Sequence, residues 1–133
     1  MARHTRIEGD YSIVSVYRVD QSAATNYHTH RDLTVQLLSE GSRVRILKGM
    51  WCGNTEFSIE IGGHNHAARA RTIALAHNQF AYIVVGGGEA KLYETVAGGY
   101  ALKTTFHNYT TTEKPDTDYS SYMNGTFFKF FNP

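Results

Sequence analysis

Phe57-Ser58-Ile59-Glu60-Ile61-Gly62-Gly63-His64-Asn65 is the stretch from which the fold of this chain is read. Phe57, Ile59 and Ile61 fall on one face of an extended chain and Ser58 and Glu60 on the other, the period-two alternation of a half-buried strand. Two glycines follow and remove Cβ just where a ligand or a neighbouring backbone can approach. His64 then offers a ring donor and acceptor, and Asn65 offers two donors and an acceptor. Together these groups suit an uncharged, hydroxylated ligand. The other reading of the same residues is a strand-end turn in which Asn65 satisfies its own backbone.

Outward from that strand, further strand patterns run over Tyr11 to Val19, Leu33 to Leu38 and Arg43 to Leu47. The last two are separated by Ser39-Glu40-Gly41-Ser42, a good hairpin connection. Gln79 to Val85 reads as a strand buried on both faces and stopped by Gly86-Gly87-Gly88. Ala90 to Thr95 and Tyr100 to Phe106 join across Ala97-Gly98-Gly99, and a polar tract, Tyr109 to Tyr119, leads to a last strand around Thr126 to Phe131. Ala67 to Ala76 is the exception, with Ala70, Ile73, Ala74 and His77 at helical spacing. The expectation is a single all-β domain over 1–133, a two-sheet β sandwich with at most one short helical connection. A closed barrel is the competing geometry.

Composition narrows the function classes. Thirteen basic and twelve acidic residues leave a net charge of +1, which gives no global pull toward nucleic acid or anionic lipid. Arg43, Arg45 and Lys48 alternate with Val44 and Ile46, the pattern of a wet strand face. One cysteine, Cys52, rules out an intramolecular disulfide and a cysteine-only metal cage, so a reducing setting is expected. The N-terminal residues lack an apolar signal core and no run is long enough for a spanning helix. A soluble protein is expected, cytoplasmic or released without a classical signal peptide.

Chemistry-bearing spacings are few. His28-Thr29-His30, if extended, places two imidazoles on one face where they can share a metal. With Thr34 and Gly41 the spacing resembles the first motif of the metal-dependent cupin enzymes, although Thr34 stands where a cupin carries a glutamate and no second motif is evident. Two imidazoles are too few for a tight site. His64 and His66 form a second such pair. Gly86-Gly87-Gly88 lacks the lysine and hydroxyl of a phosphate loop, and Cys52 has no local nucleophile signature. No catalysis, no cofactor and no metal are expected.

The Phe57 to Ile61 strand ending in Gly62-Gly63-His64-Asn65, the opening Tyr11 to Tyr17 strand, and the order Tyr93 to Thr95, Gly98-Gly99 and Phe106 to Thr110 resemble the fungal fruit-body lectins. That family has an actinoporin-like β sandwich. The resemblance implies carbohydrate binding, with His64 and Asn65, and a turn matched inexactly by Gly41 and Ser42, holding a neutral galactose- or GalNAc-type glycan. Of a second family site only Tyr93 matches, because Arg71, Thr72 and Ala74 replace its motif and Arg69 and Ala70 replace the preceding tryptophan and cysteine. A tyrosine such as Tyr93 or Tyr82 is expected to supply a stacking face to the glycan. The implied partners are glycans or glycoconjugates, with no nucleic acid and with membranes reached only through glycans. Single open sites bind sugars weakly, so a homo-oligomer is expected. Two rivals stand beside this reading. One is a pore-forming, actinoporin-like protein, suggested by the aromatic tail of Tyr119, Tyr122, Phe127, Phe128, Phe130 and Phe131. The other is a cupin enzyme using His28 and His30.

Overall fold

A computed structural model describes residues 10–51, 54–87, 89–106, 108–112, 120–123 and 126–131. The elements run β1 (Tyr11–Val14), α1 (Ala23–Ser39), β2 (Arg43–Trp51), β3 (Asn54–Gly62), α2 (His66–Ala76), β4 (Ala81–Gly86), β5 (Glu89–Val96), β6 (Gly99–Phe106), β7 (Asn108–Thr112), β8 (Ser120–Met123) and β9 (Thr126–Phe131). All nine strands belong to one antiparallel sheet in the order β6-β5-β4-β1-β3-β2-β8-β9-β7. The expected two-sheet sandwich is therefore replaced by a single sheet, and two helices lie where at most one short one was expected. Within this frame β1-α1-β2-β3-α2-β4, with β4-β1-β3-β2 side by side, is the split βαβ arrangement of ferredoxin-like domains.

The two edge strands, β6 and β7, are separated by one residue in the chain, and β5 touches β7. A sheet whose outer strands are consecutive in this way must roll until its edges come together. The roll explains the burial of β3. Ile59 and Ile61 face the helices, where they pack with Val14, Val16, Leu37, Ala70, Ile73 and Ala74. Ser58 and Glu60 point to the opposite face, which the pattern assigns to solvent, yet both are buried, Glu60 to 1% exposure. The inner face of the roll also buries Tyr11, Ile13, Val85, Ala90 and Leu92. Arg45, expected on a wet face, sits in register opposite Glu60 on this inner surface and is half-buried.

The largest correction concerns α1. Leu33 to Leu38 is helical, and Ser39 to Ser42 is the end of that helix, not a hairpin. Ser22 starts the helix by accepting the Thr25 N–H at 3.1 Å. Gly41 ends it at φ +85, with its N–H donated to the Leu38 carbonyl and the Ser42 N–H to the Leu37 carbonyl. This is the Schellman motif, which glycine permits because it lacks Cβ. α2 ends in the same way, with Asn78 at φ 51, its N–H donated to Leu75 and the Gln79 N–H to Ala74. The expected helix over Ala67 to Ala76 is thus present, starting one residue earlier. The first strand stops at Val14 instead of Val19, and the tract expected to be only polar carries β7.

Candidate functional site

Register decides which of the singled-out residues meet. Arg43, the first residue of β2, pairs with Gly62, the last residue of β3. The α1–β2 turn with Gly41 and Ser42 therefore lies beside the β3–α2 turn with Gly63, His64 and Asn65. Gly41, His64 and Asn65 are exposed and Ser42 is half-buried. Behind the turns, Arg69 of α2 donates to Glu40 at the end of α1 over 2.9 Å, tying the helix ends together.

Asn65 carries most of the interest. It occupies the N-cap position of α2 in the left-handed conformation, φ 58 and ψ 27, and its carbonyl accepts the Arg69 N–H at 2.9 Å. Asparagine tolerates this backbone better than other side chains with a Cβ. Its amide makes no cap hydrogen bond with the first turn of α2. The backbone of Asn65 thus shapes the turn, while its side chain stands at the exposed end of the sheet beside the uncapped first turn of the helix.

His66, the next residue, is fixed. Its Nδ1 lies 2.7 Å from the hydroxyl of Ser12 on β1, which is fully buried. Burial pushes the His66 pKa below the ordinary histidine value, and the Asp10 carboxylate works against that shift. The pair is shut away from solvent at the Ser12 hydroxyl. It pins the start of α2 to β1.

Tyr93 does not join the cluster. It pairs with Tyr82, and the two rings stack at 5.1 Å and 10°. Three strand spacings separate β5 from β3, roughly 14 Å, and Tyr93 lies roughly 13 Å along β5 from the end where the turns meet. The expected site therefore loses its aromatic member, and Tyr82 is itself buried. The metal spacings also come apart. His28 and His30 are on α1, where residues two apart point about 200° away from each other. His28 is exposed and His30 is 4% exposed. Among the described residues no group of three or more histidine, cysteine, aspartate or glutamate side chains is placed to hold a metal. Cys52, Gly88 and Tyr119 lie outside the described residues.

Two features escape the sequence reading. Asn26 is buried on α1 and clamps the backbone of Arg18, accepting its N–H at 3.0 Å and donating to its carbonyl at 2.9 Å. Asp10 packs against Gly86, where a Cβ would come within 3.0 Å of the carboxylate carbon. Neither has a motif; Asn26 is signalled only by its place on the helical stripe that also holds His30, Leu33 and Leu37.

The fold and the turn cluster together define a rolled-sheet domain with a split βαβ core and an exposed polar edge. No protein-family model matches the chain, and no curated protein matches it. No described helix is long and apolar enough to cross a membrane.

Proposed function

We propose that the chain is a non-enzymatic binding module that takes up a neutral glycan at the end of the sheet formed by the α1–β2 and β3–α2 turns. One observation carries the reading. The Arg43 and Gly62 register brings the turn that carries Ser42 beside the turn that carries His64 and Asn65, although the two turns are more than twenty residues apart in the chain. A hydroxyl, an imidazole and a carboxamide offer donors and acceptors in alternation, as a sugar hydroxyl demands. The uncapped first turn of α2 adds backbone N–H donors for a sugar oxygen. Without Tyr93 the site has no stacking ring among the described residues, so recognition rests on hydrogen bonds. The expected affinity is then weak, about 0.01 to 1 mM, and multivalency through a homo-oligomer would supply avidity. The lone Cys52 suits a reducing, cytoplasmic setting for such a protein.

The single sheet takes away the sandwich shared by the lectin resemblance and the pore-forming rival alike, so the glycan reading rests on the turn cluster and not on the fold, and the cupin rival loses the shared face of His28 and His30. A glycan array probed with the fluorescently labelled protein tests the proposal. Binding to galactose- or GalNAc-terminated glycans that falls at least about fivefold in His64→Ala and in Ser42→Ala supports it. An array without signal at high protein density, or a signal unchanged in both variants, refutes it.

A further inference from the structure

We propose that the two helices are fastened to the sheet by histidines that fit only as neutral rings, so that acid loosens the helical layer while the sheet stays folded. Two seams carry this inference, and it does not rest on the glycan reading. His30 of α1 is almost fully buried between Tyr17, just beyond β1, and Phe57 of β3, each ring centre 5.9 Å away. Among the described residues its Nδ1 has no hydrogen-bond partner. A proton there would place a charge and an additional N–H donor in an aromatic enclosure that cannot accept it. Tyr17 is the titratable group facing this ring, and among the described residues no charged side chain contributes to its shift, which burial drives downward.

His66 opens α2 and is bonded to Ser12 at the β1 seam. Burial lowers its pKa, and Asp10, the charged group that acts on it, opposes this. His77 closes α2 at the C-cap. Burial lowers its pKa first and the Arg18 guanidinium second. In each case the folded protein holds the proton less tightly than the unfolded chain, whose histidines titrate near about 6.5. The unfolded or locally opened state therefore binds more protons in this range. The stabilisation is fully present above about pH 6.5 and drains away as the pH falls through the lower folded values. Since His30 serves α1 while His66 serves the start of α2, the loss falls on both helices.

Hydrogen exchange read by mass spectrometry on the intact chain, at pH 7.5 and pH 5.0 and corrected for intrinsic rates, tests this directly. Peptides covering 23–39 and 66–76 should lose at least about tenfold more protection on acidification than those covering 57–62 and 81–86. In His30→Leu, which keeps the enclosure apolar, the acid loss over 23–39 should largely disappear. Equal losses in helices and strands, no loss in the helices, or a His30→Leu profile matching the parent protein would each overturn the proposal. Should that variant not fold, proton NMR titration of the histidine rings in the parent protein decides instead. Midpoints below about 6.5 for His30 and His66 support the two seams, and midpoints at or above that value contradict them.

Discussion

The two strand-to-helix junctions of the split βαβ core are built in opposite ways. Where β1 leads to α1, the polar groups are consumed internally. Ser22 caps the helix, and Asn26 takes both backbone groups of Arg18. Where β3 leads to α2, Asn65 holds a left-handed turn and its amide does not cap the helix. The first junction is stabilised by its own side chains. The second leaves donors and acceptors at an exposed edge, which is the arrangement a ligand site requires. A junction serving stability alone would be expected to resemble the first.

That contrast can be broken by substitution. Asn26→Ala leaves the half-buried Arg18 N–H without its partner and removes one of the two hydrogen bonds to the Arg18 carbonyl, which still accepts the Gln21 N–H, and should lower unfolding free energy by about 2 kcal/mol in urea titration. Glycan affinity of the remaining folded protein should not change. Gly41→Ala meets no neighbouring atom within 4 Å, so only the backbone at φ +85 resists it. The expected cost is about 1 to 2 kcal/mol, visible as a fall in melting temperature. Ser22→Ala should cost about 1 kcal/mol through the lost cap. Arg69→Ala breaks an ion pair whose side chains are 36% and 42% exposed, and should cost no more than about 0.5 kcal/mol. A loss above 1 kcal/mol there would make the second junction structural and weaken the contrast.

Much of the sheet is legible in the sequence because alternation survives in β2, β3, β5 and β6, and α2 is legible through its alanines. α1 is not, for a physical reason. Leu33, Val35 and Leu37 alternate as a strand would, whereas the face that packs runs through Asn26, His30, Leu33 and Leu37, at helical spacing. Two of those four are polar, so a hydrophobicity pattern misses them. Gly41 then reads as a hairpin glycine when it is a helix terminator. The roll of the sheet is hidden for a different reason. Alternation reports that Ser58 and Glu60 oppose Ile59 and Ile61, but not that the far face closes over them. The grouping of Gly41 and Ser42 with His64 and Asn65 comes from the family resemblance and not from residue type, and the nearness of their two turns follows from the β2–β3 register. Tyr93 was misplaced because order along the chain says nothing about the three strand spacings between it and β3.

Asn65→Gly separates the two roles of the open junction most directly, because glycine accepts the left-handed backbone and removes only the carboxamide. Isothermal titration with the best array glycan, paired with the melting temperature of the same variant, reads both. The account predicts an unchanged or slightly higher melting temperature and an affinity weakened about five- to hundredfold. A lowered melting temperature with affinity intact would contradict it.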